Sequence, residues 1–445
     1  MNLALFCHSI RSDWNHGNAH FLRGVVRSLQ RGGDTVTVHE PAEGWSVRNL
    51  VQDHGPASVD GYLDAYPDIR PRLYGEGGPD LSQALEGQDA VIVHEWTDPS
   101  LVRAIARHHD ASGNYDLFFH DSHHRAKTNP DSIAELPLHA FTGVLAFGDS
   151  LRQHYAEHGL AGRAWTWHEA ADPDLFRPIA SEPEGDLVWV GNWGDEERTE
   201  ELEEYLVGPA ERLRLRGTVH GVRYPDAARK RLAQAGLAYR GWLPNIRAPQ
   251  VFAAHRATVH VPRRPYLQQL PGIPTIRMFE AFASGIPLAV ALWKDTERLF
   301  RPGDYLLAHD GAEMEAHLRT ILEEPERAAR MAQAARKNLL ERHTCEHRVR
   351  ELRGIRARLR TPRRADGLRI AFFGSSLLSS YWNGAATYYR GLLRALADLG
   401  HTITFHEPDA FDRTKHQDMA EPDWCRVHVY SADGEAGVRE ALHQA

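Results

Sequence analysis

The sequence predicts an α/β chain in which two Rossmann-like units face each other across a cleft, with a partial third unit at the C-terminus. Three observations predict it. Short apolar segments alternate with amphipathic helical ones, and the alternation restarts after a break rich in Pro, Glu and Asp at Pro173 to Gly185. A loop, helix and strand are written into Gly272–Leu288. Residues 369–408 match residues 2–41 without a gap.

In the first half, Leu3 to Phe6 is an apolar strand and Ala19 to Leu29 an amphipathic helix, followed by an alternating strand over Thr35 to His39. Ala90 to His94, Leu117 to His120 and Val144 to Phe147 are further strands, with helical patterns at Pro99 to His108 and Leu151 to His158. Short connections between alternating strands and helices argue for a parallel sheet covered on both faces. After the break come strands at Asp186 to Val190, Thr218 to His220, Thr258 to Val261 and Pro287 to Ala291. Helices are expected at Glu200 to Leu206, Ala227 to Ala235, Glu313 to Leu322 and Pro325 to Arg342. The expected domains are 1–178 and 185–342, then a helix and linker over 343–362 and a start of a second repeat over 367–445. A cleft between two such units, at the carboxyl ends of the strands, is the expected ligand site.

The internal match has an offset of 367 (369 minus 2): Arg390 to Leu396 stands over Arg23 to Leu29, and His406-Glu407-Pro408 over His39-Glu40-Pro41. A weaker likeness continues, Val429-Tyr430 with Leu73-Tyr74 and Ala441-Leu442 with Ala84-Leu85. The second copy stops before a counterpart of Val91 to Val93, so the expectation is the front portion of a longer tandem protein, its fragment from about 366 either poorly ordered or packed opportunistically on the complete module.

Composition narrows the function classes. The chain has 445 residues, 42% of them hydrophobic, which allows two or three cored domains. The apolar runs are too short to cross a bilayer, and the start lacks a signal-peptide pattern. Three scattered cysteines, Cys7, Cys345 and Cys425, imply no disulfide framework, so a cytoplasmic protein is expected. A net charge of −8 without a dominant basic tract argues against backbone-driven nucleic-acid binding. The basic run from Arg348 to Arg364 reads as a solvated helix face and linker.

Several constellations carry chemistry. Arg277 and Glu280 lie three residues apart on one side of the Gly272–Leu288 helix. A guanidinium and a carboxylate at the mouth of an α/β sheet suit a ligand with phosphates and ribose hydroxyls. Gly191-Asn192-Trp193-Gly194-Asp195 turns from a buried strand toward a helix, where glycine admits a phosphate and the helix N-terminus offers N–H groups. It is not a dinucleotide fingerprint, and no phosphate-binding Gly-Lys-Ser/Thr loop exists, which disfavours nicotinamide enzymes and P-loop ATPases. Arg223, Arg263 and Arg277 stand at candidate cleft-facing ends and would neutralise a leaving diphosphate in a metal-free site. His120-Asp121-Ser122-His123-His124-Arg125 follows a strand of the first unit. There His120 or Asp121 would orient or deprotonate an acceptor hydroxyl. A metal site there is not expected, since no Cys joins the cluster. Trp14 to Asn18, between the first strand and first helix, places His16 and Gly17 on the acceptor side, with Asp13 as a further candidate.

The order of these motifs resembles the CgeB-like (spore maturation) family of GT-B glycosyltransferases. The likeness rests on 120–125, Phe147-Gly148, Trp167 to Asp172 with Phe176-Arg177-Pro178, and Val190 to Trp193. It continues through Tyr239 to Pro244, Val261 to Arg264, Pro271 to Pro287 and Arg342 to Cys345. The resemblance covers about 1–360 and implies a GT-B fold, a nucleotide-sugar donor in the second unit and a helix within 345–360 crossing back toward the first. It implies that Glu280 holds the donor ribose, that Gly191, Asn192, Trp193 and Gly194 lie under the diphosphate, and that Gly272, Ile273, Pro274 and Thr275 approach the sugar and phosphates. Better-known retaining relatives carry Glu-x7-Glu; here the first of those positions is Gly272, as in the CgeB-like relatives.

The expected activity is therefore transfer of a sugar from a nucleotide diphosphate sugar to an acceptor hydroxyl on a glycan, protein or small molecule, without a metal or other cofactor. Two alternatives stand beside it: a catalytically silent nucleotide-sugar-binding module of a tandem assembly protein, and a GT-B-fold epimerase acting on the nucleotide sugar.

Overall fold

The computed structural model describes the chain apart from residues 195, 361–367, 434 and 445. Asp195 and positions 361–367 of the expected linker and repeat start thus lie outside the described residues. The chain divides into two compact units, Met1–Gly354 and Ile355–Ala445.

The first unit holds two parallel sheets. One contains β1 (Asn2–Phe6), β2 (Thr35–Pro41), β3 (Arg72–Tyr74), β4 (Ala90–His94), β5 (Asp116–Asp121), β6 (Gly143–Ala146) and β7 (Ala164–Thr166). Their order is β3-β2-β1-β4-β5-β6-β7. The other contains β8 (Gly185–Val190), β9 (Gly217–His220), β10 (Leu237–Gly241), β11 (His255–His260), β12 (Leu288–Ala291) and β13 (Leu306–Ala308), in the order β10-β9-β8-β11-β12-β13. Both are the expected doubly wound pattern. The central strands are largely apolar and buried because helices cover both faces; all five residues of β4 are buried, His94 at its carboxyl end included.

Four strands absent from the sequence reading, β3, β7, β10 and β13, are the edges of the two sheets. Edge strands are short and half-exposed, so they carry neither a continuous apolar run nor a full alternation. The helix expected at Glu200 to Leu206 is longer: it runs from Thr199 to Leu202, widens into a π-turn over Glu203–Val207 and continues to Leu213.

In each sheet the strand order reverses beside the first strand, between β1 and β4 and between β8 and β11. Loops leaving the carboxyl ends there diverge and open a crevice. Those loops are residues 7–18 after β1 and 191–198 after β8. Helix Cys345–Arg360 begins against the first lobe: the Cys345 N–H donates to the Ala171 carbonyl (2.9 Å), Trp167 Nε1 to the Arg348 carbonyl (2.8 Å) and Arg353 to Asp34 (2.6 Å).

The second unit is a parallel sheet of β14 (Arg369–Phe373), β15 (Thr402–Asp409) and β16 (Cys425–Ser431), with β15 central. Contacts of 2–41 recur in 369–408. Phe6 stacks on His39 at 4.7 Å, as Phe373 does on His406 at 4.7 Å. Arg23 Nε donates to the Ile10 carbonyl, as Arg390 Nε does to that of Leu377. The Ser12 N–H donates to Ser9 Oγ, as that of Ser379 does to Ser376 Oγ.

Candidate functional site

Glycines and buried polar side chains shape the second-lobe loops. After β8, the Gly191 carbonyl accepts from Trp189 Nε1 (3.1 Å) and from the Tyr224 hydroxyl (2.7 Å). Asn192 Oδ1 accepts from the Val222 N–H (2.9 Å), and Asn192 Nδ2 donates to Asn15 of the first lobe. Trp193 is buried, and Gly194 sits at φ +96° against the Arg198 side chain. Arg198, itself buried, donates to the carbonyls of Asn192 and Val261, and burial lowers its pKa to about 9. The turn is thus held from below by one guanidinium.

Gly272 has φ +90°, and a Cβ there would collide with Thr296 Oγ1. Ile273 and Pro274 are buried; the Ile273 side chain fills the space a Cβ at Gly148 of the first lobe would need. Thr275 precedes helix Ile276–Ser284 in extended conformation, and its side chain makes no cap bond. Gly17, in the loop after β1, faces Ile276. The loop after β1 therefore meets the start of this helix, and it meets the loop after β8 through Asn15 and Asn192.

The sequence places Glu280 at the mouth of the sheet, and the structure roofs it there. Glu280 is 0% exposed, because the first lobe's helix Ala19–Arg31 lies over it. Its Oε1 accepts from His20 Nδ1 (3.0 Å) and Asn245 Nδ2 (2.9 Å), and its Oε2 from Arg277. Burial alone would raise its pKa, but Arg277 and these two donors hold it below the usual carboxylate value. The Asp172 N–H donates to His20 Nε2 (2.9 Å), which fixes the proton of His20 on Nδ1. Glu169, 3% exposed, accepts from the Ile276 N–H. Burial, with the charge of Glu280, raises its pKa to about 8 against the pull of Arg277.

Asp13 ties the same seam: it accepts from Arg23 (3.1 Å), Trp242 Nε1 (3.0 Å) and the Asn245 N–H (3.1 Å). Beside it lies a recess of about 190 Å³, lined by Arg11, Tyr62, Trp242, Pro244 and Arg247 among others. Arg263 pairs with Glu197 at 3.3 Å, and Arg223 is exposed at φ +61° on the loop after β9.

The acceptor-side candidates lie deeper than a surface loop. His16 is buried, its Nε2 3.1 Å from the Ser9 carbonyl, and its ring packs edge-on against His8 at 4.0 Å. His120 is 0% exposed among His94, Trp167 and Phe21, and burial lowers its pKa to about 3. Asp121, also 0% exposed, accepts from the Tyr155 hydroxyl and from the His123 N–H (3.1 Å); burial raises its pKa. Glu95, beside it, is raised well above the usual value by burial and by Asp121. The ring of His123 lies 4.0 Å from that of His124 and 5.2 Å from Trp96. Among the described residues, no group of three or more His, Cys, Asp or Glu is arranged to hold a metal ion.

The structure thus brings together Gly17, Glu280, Arg277 and the 272–275 loop. It adds His20 and Asn245, which the sequence analysis gives no role, and Glu169, which the Trp167 to Asp172 motif contains without a role of its own. No local signal marks them, since each partner lies far along the chain.

Comparison with known proteins agrees with this architecture. Residues 198–354 match the family described as "Glycosyl transferase-like". A search of curated proteins finds no match. Among solved structures, the chain resembles HepE of Anabaena in complex with UDP and glucose, at TM-score 0.58 and 14% identity, over 80% of this chain and 100% of that one. It resembles a point mutant of TarM from S. aureus, in complex with fondaparinux, alpha-GlcNAc-glycerol and UDP, at TM-score 0.58 and 10% identity, over 80% and 99%. Sucrose-phosphate synthase from Thermosynechococcus elongatus follows at TM-score 0.54 and 12% identity, over 81% and 99%. The chain has the GT-B fold, and its second lobe carries the sequence pattern of a glycosyl transferase-like family.

Proposed function

We propose that this chain is a glycosyltransferase that moves a sugar from a nucleotide diphosphate sugar to an acceptor hydroxyl, with a kinship to CgeB-like enzymes. The observation that carries the reading is the meeting of Glu280 and Arg277 with the 272–275 loop at the seam between two doubly wound lobes. An acceptor-only carboxylate suits ribose hydroxyls, and a guanidinium suits a diphosphate. Gly191 to Gly194 would lie under the diphosphate, with Arg263 and Arg223 adding positive charge and no metal required. On the first-lobe side, Gly17, His16 and His123 would face the acceptor. Asp121 would act by holding the His123 amide, and His120 by lining the interior behind it. Free thiols at Cys7, Cys345 and Cys425 fit a reducing cytoplasm. No helix among the described residues is long and apolar enough to cross a membrane.

A second reading, a silent nucleotide-sugar-binding module within a tandem protein, is favoured by Gly272 standing where retaining relatives carry a glutamate. Shared contacts of 2–41 and 369–408 support the repeat in either reading.

A thermal-shift panel of nucleotides and nucleotide sugars tests donor binding, since a ligand of the native state raises the midpoint by mass action. Unchanged nucleotide affinity in Glu280→Ala would overturn the site. Release of nucleotide with acceptor, or donor hydrolysis alone, eliminates the silent module.

A further inference from the structure

We propose that Arg277 is a clasp that leaves Glu280 for the diphosphate of the incoming ligand, so that this site selects nucleoside diphosphates over nucleosides. The proposal rests on the donor-site reading above and adds to it how the site opens.

The two oxygens of Glu280 are held differently. Oε1 takes two neutral N–H donors, His20 Nδ1 and Asn245 Nδ2, at 3.0 and 2.9 Å. An oxygen with two lone pairs is then filled. Both donors are trapped. His20 is 0% and Asn245 4% exposed, and the Asp172 N–H on Nε2 holds the His20 ring. Releasing either would strand a buried polar group.

Oε2 accepts from Arg277, whose side chain is 26% exposed while that of Glu280 is 0% exposed. The guanidinium keeps its charge and can swing into solvent or onto an anion. When it leaves, Oε2 is uncovered, an acceptor aimed toward the space the guanidinium held. That suits a ribose hydroxyl.

The exchange has a thermodynamic condition. Withdrawing Arg277 leaves a carboxylate buried with neutral donors, beside the second buried carboxyl of Glu169. Breaking such a pair from one side is costly. A neutral nucleoside offers Arg277 nothing in return, whereas a diphosphate offers a charge-assisted, two-point partner. Ribose and diphosphate should therefore bind with strong positive coupling, and Arg277 should oppose the nucleoside taken alone.

Calorimetry on the full chain tests this with ADP, GDP, UDP and CDP and with the four parent nucleosides. For the diphosphate that binds best, Arg277→Ala should weaken binding at least about tenfold, while the parent nucleoside binds about threefold or more tighter. Arg277→Lys keeps the charge but not the fork. It should weaken the diphosphate and leave the nucleoside near its original affinity. Circular dichroism confirms that both variants fold. Equal weakening of nucleoside and diphosphate by Arg277→Ala would overturn the clasp. Glu280→Ala separates the two levels: unchanged binding of both ligands there refutes the donor site itself, as would no binding of any diphosphate to the unaltered chain.

Discussion

His20 donates its Nδ1 proton to Oε1 of Glu280 at 3.0 Å, a hydrogen bond between residues 260 positions apart and from different lobes. The bond closes the seam over the carboxylate. It also makes an ordinary helix residue of the first lobe part of the second lobe's site.

His20→Ala should therefore destabilise the chain by about 1–3 kcal/mol, because it removes one of the two donors to Oε1 of Glu280 and strands the Asp172 N–H in a buried seam. The urea midpoint measures this. His20→Gln, which can both donate and accept, should recover part of the loss. Equal costs for the two variants would argue that packing against Phe176, 4.1 Å away ring to ring, matters more than the bond.

Glu169 should give stability a pH dependence. Its pKa is raised to about 8 in the folded chain, against an ordinary value of 4.5. Between these values the folded state binds more protons than the unfolded one, so the favourable contribution present at low pH is lost as pH rises toward 8. Glu169→Gln cannot ionise and escapes the loss. Relative to the unaltered chain, it should gain on the order of 3 kcal/mol between pH 5 and pH 8. Parallel denaturation curves at the two pH values check this; a difference that does not change with pH refutes it.

Asp121 sits with Glu95 in a buried carboxyl pair that burial pushes toward the protonated form. Asp121→Asn keeps one acceptor, for the His123 N–H, and turns an amide donor toward the Tyr155 hydroxyl, which can accept it; the change should cost about 1 kcal/mol or less. Asp121→Ala leaves both donors unmet and should cost about 2–4 kcal/mol. If both substitutions cost the same, the charge rather than the acceptor geometry is what matters.

Restoring the missing glutamate should fail. Gly272→Glu places a side chain at φ +90° where even a Cβ collides with Thr296. The backbone conformation alone should cost about 1–3 kcal/mol. The expected result is a lower thermal midpoint without gain of transfer activity. Equal stability would show that the loop can rearrange.

The two copies of the strand–helix–strand segment should differ in sensitivity. Glu40 accepts from Ser9 Oγ, from the N–H groups of Ile10 and Arg11, and from Arg11 Nε, whereas Glu407 accepts from the Leu377 N–H. Glu40→Gln should lower the thermal midpoint more than Glu407→Gln does.

Much of the fold was legible because a buried parallel strand is an apolar run bounded by turns. β1, β4, β5, β8 and β12 announce themselves that way, while β3, β7, β10 and β13 do not, being short edges that need no such run. The helix Ile276–Ser284 was legible from its apolar face, and the turn after β8 from its glycines. The partners of His20, Asn245 and Glu169 were not. Nothing in the residues beside them says what they will touch.

The amino-acid sequence by itself determined the alternation of strands and helices, the break between two such series, the internal likeness of 2–41 and 369–408, and the placing of Arg277 beside Glu280 one helical turn apart. Each of these is a local pattern, set by residues within a few positions of one another. Only the tertiary structure decided that Glu280 is roofed by His20, with one oxygen filled and the other left to a partly exposed guanidinium. That depends on which surfaces of two separately patterned lobes come together, and such long-range pairing leaves no periodicity in the chain.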